Sequence, residues 1–343
     1  MEEIEEIDLV LGNNEKNNIV NIIEKYYNGK NETKIQVTDI DHQKEFLDFG
    51  TVTYTEKTRA SIKVQDGCNN FCSYCLIPYA RGRIRSRKKE SVLEEIKQIT
   101  QKGIKEVVIT GIQVTSYGKD FEEEYKLIDL LEDINKIEGV KRIRLGSLEP
   151  NIITEEFVNR LSKLEKICNH FHLSLQSGCN ETLKRMNRKY TTEQIEDSVN
   201  LLRKTFKDVA LTTDIIVGFP GETEKEFEIT YNFLEKIKLT KMHVFKYSPR
   251  EGTRAATMPM QIDGNIKEER SQKLIELSNK NEEEFLKAQI GKELEALFEE
   301  QDDKYWKGHT RNYLVVKKEG KDLENILQMV KINTINELSL LGE

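Results

Sequence analysis

Between about residue 60 and residue 250 the chain alternates short apolar segments with longer amphipathic ones. That alternation constrains its fold more than any other feature. The apolar segments, 61–65, 106–110, 142–146, 171–176, 211–217 and 242–247, are rich in Val, Ile and Leu. Their length and composition predict strands of a parallel sheet rather than helices. Helix starts lie between them. Ser91 with Glu94 reads as a capping box ahead of Val92, Ile96 and Ile99, and Thr191 with Gln194 and Thr223 with Glu226 repeat the signal. Leu127, Leu131 and Ile134 mark another apolar stripe, which is core packing. Six strands joined by crossovers predict an α/β fold, a curved and incomplete (β/α)6 barrel, with its chemistry at the C-terminal ends of the strands. Polar or glycine tips stand at those ends: Thr110-Gly111, Ser147 to Glu149, Gln176 to Gly178, Asp214, Gly218 to Gly221, and Lys246 to Ser248.

The first strand runs straight into Asp66-Gly67-Cys68-Asn69-Asn70-Phe71-Cys72-Ser73-Tyr74-Cys75. Cys68, Cys72 and Cys75 put three thiols on one loop and no fourth. Cysteine thiolates hold iron–sulfur clusters, and three of them leave one iron of a four-iron cube open to a small molecule. Structural zinc wants four ligands in paired spacing, and the five histidines (His42, His170, His172, His243 and His309) are scattered. Catalytic zinc on three thiolates stays open as an alternative. A disulfide framework does not suit 343 residues with five cysteines and no secretory signal. Cys168 and Cys179 read as small hydrophobes.

The acidic start, Met1 to Glu6, is unlike a secretory leader, and no apolar run approaches the ~18 residues of a membrane span. A reducing cytoplasm is the expected compartment for such a cluster. The formal net charge is −7, yet residues 81–89 hold six cations: Arg81, Arg83, Arg85, Arg87, Lys88 and Lys89. Beside the cysteine loop they predict an anionic substrate, with a solvated basic turn as the plain alternative. A charged helix is expected over 266–289. Beyond Gly291 the apolar stretches 294–298, 313–316, 326–330 and 337–341 predict a small all-β barrel. Tyr305, Trp306, Lys307, His309, Arg311 and Tyr313 interleave rings with cations, a pattern that suits RNA, or else a hairpin with edge aromatics.

Cys68-x3-Cys72-x2-Cys75 with Tyr74 before the last cysteine resembles the radical S-adenosylmethionine superfamily. The strings from Cys75 to Arg87, His172 to Gly178, Leu183 to Tyr190 and Asp214 to Thr223 resemble the methylthiotransferases. Within that family they are most similar to the tRNA branch acting on N6-threonylcarbamoyladenosine beside the anticodon. The resemblance runs from about Asp8 to the end. It implies a radical-enzyme core over residues 57–277 and an OB-like TRAM domain with its leading helix over 278–343. Residues 1–56 would be the remnant of an N-terminal domain and linker. It implies that Cys68, Cys72 and Cys75 hold a [4Fe-4S] cluster whose open iron binds S-adenosylmethionine, and that a 5′-deoxyadenosyl radical attacks adenine C2. Tyr74, Ile216 and Gly218 would frame the cofactor's adenine, Gly111 would lie near its amino group and Arg188 near its carboxylate. Glu149, Gln176 and Asp214 would be further polar contacts. Arg81, Arg83, Arg85, Arg87, Lys88, Trp306 and Arg311 are the expected RNA contacts. The tRNA anticodon loop and an electron donor such as flavodoxin or ferredoxin are the expected partners.

No cysteine precedes Cys68, whereas full-length members carry three more that hold an auxiliary cluster for sulfur delivery. The expectation is a shortened member that does not support that second cluster. Two alternatives remain: a methylthiotransferase acting on another adenosine or on a ribosomal-protein aspartate, and a noncatalytic iron–sulfur RNA-binding fragment.

Overall fold

The computed structural model describes residues 4, 6–29, 34–38, 40, 45–50 and 58–343. The expected boundary at 56/57 lies outside the described residues. Near the N-terminus two short strands, β1 (Val10–Leu11) and β2 (Ile35–Gln36), pair in parallel, with helix α1 (Ile19–Tyr27) between them in sequence.

The six expected strands form. They are β3 (Arg59–Asp66), then β5 (Glu106–Gly111), β6 (Arg142–Leu145), β7 (His170–Gln176), β8 (Ala210–Val217) and β9 (Lys241–Lys246). A two-residue strand, β4 (Arg85–Ser86), runs antiparallel to the end of β3. The remaining pairings are parallel, β3 to β5 to β6 and β7 to β8 to β9. Single bridges from Ile143 to Ile167 and from Leu148 to Leu173 join the two halves into one curved wall. The strand order follows the chain, as right-handed crossovers of successive units require.

Side-chain alternation gives the wall two characters. On β7, Phe171, Leu173 and Leu175 are fully buried in the core shared with the helices, while Ser174 and Gln176 face a cavity. Helices α3 (Lys89–Gln101), α4 (Leu127–Asn135), α5 (Glu155–Leu161), α7 (Thr192–Thr205) and α8 (Glu224–Ile237) cover the outer face; two short helices, α2 (Ile77–Arg81) and α6 (Asn180–Arg185), lie near the rim. Val92, Ile96, Ile99, Leu131, Ile195 and Phe227 pack from the covering helices against Ile62, Val107 and Leu211. The capping boxes of Thr191 with Gln194 and Thr223 with Glu226 form. The Ser91–Glu94 box does not. Helix α3 starts earlier, at Lys89, and the Ser91 hydroxyl instead donates to Asp48 and accepts from Arg87. A tertiary carboxylate outcompetes the local cap.

Helix α9 (Gly264–Lys287) is continuous across the expected boundary at 277/278. Leu274 and Leu277 pack in the large core and Leu286 in the small one, so the two units share it. The small unit is a closed five-stranded barrel in the order β10 (Glu293–Asp302), β11 (Tyr305–Thr310), β12 (Val315–Glu319), β14 (Ser339–Gly342), β13 (Leu327–Asn336).

This barrel docks on the N-terminal ends of the parallel strands. Arg142, fully buried at the start of β6, donates to Glu295 Oε1 at 3.0 Å, to the Glu295 carbonyl at 2.7 Å and to the His309 carbonyl at 2.8 Å. Arg144 donates to Glu106 at 2.8 Å and to the Arg311 carbonyl at 3.1 Å. Its guanidinium lies 4.5 Å from the centre of the Tyr313 ring, which also meets His309 at 4.8 Å and His170 at 5.0 Å. Burial pushes the Glu106 carboxyl up, but Arg144 and then Arg142 outweigh it and hold the group below its ordinary value. The interleaved rings and cations of 305–313 therefore build the joint between the units. Trp306 lies in the small barrel's core, and Arg311 donates to the Ile167 carbonyl at 2.7 Å and to the Glu165 carbonyl at 2.5 Å. Trp306 is thus spent on packing, while Arg311 stands half-buried at the joint. Among the described residues no helix is long and apolar enough to cross a membrane.

Candidate functional site

The opposite ends of the strands carry the cysteines. Gly67 turns the chain out of β3 at φ 72°, and a Cβ there would lie 1.8 Å from the Arg83 carbonyl oxygen, so the turn needs glycine. The Cys68 amide donates to the Gly82 carbonyl at 3.1 Å, while β4 folds the basic run back beside the loop. A second segment pins the loop from across the wall. Asn187 donates to the carbonyls of Phe71 at 2.8 Å and Asn70 at 3.2 Å, and Ser73 bonds the carbonyls of Arg185 and Met186. The string from Leu183 to Tyr190 thus holds the cysteine loop in shape.

The three sulfurs line one cavity of about 140 Å³, with Asn70, Tyr74, Gln113, Glu149, Ser174, Gln176 and Arg188 on its walls. One network joins most of them. Glu149 accepts from Asn70 at 2.6 Å, from Arg188 at 3.0 Å and from Gln113 at 2.8 Å. Arg188 also donates to Cys72 Sγ at 3.1 Å and to Tyr190 at 2.7 Å, and the Cys68 thiol donates to Gln113 at 3.1 Å. Burial pushes the Cys68 thiol up to about 11 and raises Cys75 as well. As free groups these are thiols; a bound metal would take them as thiolates.

Among the described residues no three His, Cys, Asp or Glu side chains come close enough together to hold a single metal ion. Three thiols on one cavity are the donor set that a [4Fe-4S] cluster takes, one thiolate per iron. Arg188 and Glu149, both nearly buried, offer a cation for a carboxylate and an anion for an ammonium.

A second cavity of about 430 Å³ shares Tyr74, Cys75 and Gln176 with the first. Asp214, Ile216, Phe245, Lys246, Tyr247, Ser248 and Arg250 complete its lining. Tyr74, Ile216 and Tyr247 pack with Phe219 into a small apolar cluster. The Tyr247 hydroxyl is buried and, among the described residues, has no hydrogen-bond partner. Asp214 is held by His172, whose Nε2 lies 3.2 Å from its carboxylate and whose Nδ1 lies 3.0 Å from the Thr212 hydroxyl.

The structure thus gathers Cys68, Cys72, Cys75, Tyr74, Glu149, Gln176, Arg188, Asp214 and Ile216 around two joined cavities. Gly111 and Gly218 are not among the lining residues. Gly111 packs where a Cβ would lie 2.9 Å from Gln65, and the Gly218 amide donates to Glu222 at 2.5 Å. Part of the basic run is corrected. Arg85 is fully buried and donates to the Arg81 carbonyl at 2.7 Å; Arg87 is buried between Glu95 and Asp48. Both hold the fold, because β4 turns them inward. Arg83 and Lys88 stay exposed, with Arg83 stacked 4.7 Å over Phe71, and Arg81 is half-buried against Asn13. Gln113, Asn70, Ser174 and Tyr190 were missed. Gln113 lies two residues past Gly111 at a strand end, and that position was the available signal.

Residues 62–234 match the Radical SAM superfamily. The chain is 41% identical over 333 residues to the threonylcarbamoyladenosine tRNA methylthiotransferase MtaB of Bacillus subtilis (strain 168), covering 95% of this chain and 73% of that one. It is 43% identical over 317 residues to the enzyme of the same name from Aquifex aeolicus (strain VF5), covering 92% and 76%. A tRNA-2-methylthio-N(6)-dimethylallyladenosine synthase of Thermoanaerobacter sp. (strain X514) is 39% identical over 341 residues, covering 98% and 72%. Among solved structures, the radical S-adenosylmethionine methyltransferase TsrM of Kitasatospora setae shares the fold, with a TM-score of 0.54 at 18% identity over 69% of this chain and 50% of that one.

Proposed function

The chain belongs to the radical SAM superfamily and, within it, to the methylthiotransferases, and from that premise we propose that it acts in placing a methylthio group at C2 of N6-threonylcarbamoyladenosine next to the anticodon of tRNA. The sulfur is brought by a sulfur donor other than Cys68, Cys72 and Cys75, and the methyl by a second S-adenosylmethionine. The cysteine cavity walled by the Arg188–Glu149–Gln113 network supports the radical chemistry, and the 41% and 43% identity to the two threonylcarbamoyladenosine enzymes supports the base. Cys68, Cys72 and Cys75 hold the cluster. When bound, the cluster and S-adenosylmethionine supply the one-electron chemistry that activates an unreactive C–H bond. Arg188 receives the cofactor's carboxylate and Glu149 its ammonium, which orients the cofactor over the thiolates. Tyr74, Ile216 and Tyr247 give its adenine an apolar seat, and Gln176 and Asp214 supply polar contacts. Gly111 and Gly218 act by leaving room for neighbouring side chains. Arg81, Arg83 and Lys88 meet RNA phosphates at the rim. A one-electron donor such as flavodoxin or ferredoxin reduces the cluster.

Identity to the dimethylallyl branch, at 39%, is nearly as high, so the base modification is the point to test. Reconstitute the chain anaerobically and follow 5′-deoxyadenosine together with methylthio nucleosides in digested tRNA. The expected product is the threonylcarbamoyl nucleoside carrying methylthio at C2. Methylthiolation confined to dimethylallyladenosine would move the chain to the other branch. Cofactor cleavage with no methylthio nucleoside would overturn the proposed reaction.

A further inference from the structure

Phe245 is the exception among the rings that line the two cavities. It stands on β9, the edge strand of its half of the sheet, beside Ile216 of β8. It lines the second cavity, yet it is 52% exposed. Tyr74 and Tyr247, on the same cavity, pack into the apolar cluster around Phe219, and Phe245 is not part of that cluster. Lys246 and Arg250 line the same cavity and are exposed, Lys246 in a 2.5 Å surface ion pair with Glu268. The half-exposed Phe245 ring thus shares its cavity with two exposed cations, Lys246 and Arg250. It suits a flat aromatic ligand that arrives from solvent carrying negative charge on either side.

The purine that covers such a ring has two sources, the cofactor's adenine and the target base of the RNA. The enclosed Tyr74–Ile216–Tyr247 surface already offers the small cofactor an apolar seat. The solvent side of the cavity, with its exposed cations, matches a nucleotide that enters with its phosphates attached. We infer that Phe245 is the stacking platform for the target adenosine and that Arg250 receives a phosphate flanking it. The inference rests on the RNA reading above and adds to it the residues that seat the base.

The test uses the reconstituted protein and a synthetic anticodon stem-loop, bound with its target base present and with that nucleotide made abasic. S-adenosylmethionine affinity is measured in parallel. Phe245→Ala is expected to weaken binding of the intact stem-loop by about 5- to 150-fold, the range of base–aromatic stacking. It should leave the abasic stem-loop and S-adenosylmethionine unaffected, and Phe245→Trp should restore binding. Arg250→Ala should weaken both stem-loops alike and flatten the salt dependence. An equal loss for intact and abasic RNA would overturn the stacking role. A loss of cofactor affinity in Phe245→Ala would assign the ring to the cofactor's adenine instead. Wild-type protein that binds neither RNA would overturn the RNA reading itself.

Discussion

The two ends of the parallel sheet each bury an arginine–glutamate pair. At the N-terminal end Arg144 and Arg142 meet Glu106, and every one of the three is nearly or fully buried. Their remaining donors end on carbonyls and a carboxylate of the small barrel, so the charges are used up by docking. At the C-terminal end Arg188 meets Glu149, but the pair faces a cavity and one arginine donor ends on a cysteine sulfur. The same chemistry therefore does two jobs. A buried ion pair closed off by backbone carbonyls fixes how two units sit; one left facing a cavity keeps its charges available to a ligand, as proposed for the cofactor's carboxylate and ammonium.

The largest effect tests the cavity end. Cys72→Ala should remove one cluster ligand, so that iron per chain falls and S-adenosylmethionine cleavage drops to background, while the iron-free chain keeps its unfolding midpoint. A large loss of stability would mean that the cysteine end is structural, and the contrast between the ends would fail. Next comes Arg144→Met. Leaving Glu106 buried with only Arg142, at 3.5 Å, should cost about 3 kcal/mol in urea unfolding. The small barrel should become susceptible to limited proteolysis, with little change in cofactor affinity. Acid should expose the same joint: with the Glu106 carboxyl held below its ordinary value, its stabilisation is present above the unfolded pKa and fades as pH falls through the lowered one. The smallest effect is expected of Glu149→Gln. Removing the anion but keeping the shape should weaken S-adenosylmethionine binding by about 1.5–3 kcal/mol, read by calorimetry, and leave the docked barrel intact.

Much of this was legible in the sequence where a rule is local. The strands, the Thr191 and Thr223 caps and the cysteine loop all rest on spacing within a few residues. Errors appeared where a side chain's partner lies far along the chain. Ser91 lost its cap to Asp48, 43 residues away, and Arg87 turned to the same Asp48 as well as to nearby Glu95. The interleaved rings and cations around Trp306 and Arg311 also carry a packing role that spacing does not show, Trp306 inside the small barrel and Arg311 against the 165–167 turn.

By itself, then, the sequence determined the α/β repeat, the order of its strands, the three thiols on one rim and the all-β unit that follows. Periodicity and ligand spacing are properties of neighbouring residues. Only the tertiary structure decided which charges are spent and which remain available. That depends on whether backbone from a distant segment covers a guanidinium, as residues 309–311 cover Arg142 and Arg144, or leaves it facing open space, as at Arg188. For Arg142 and Arg144, desolvation and hydrogen-bond satisfaction are set by carbonyls 167 residues away, and spacing along the chain carries no record of them.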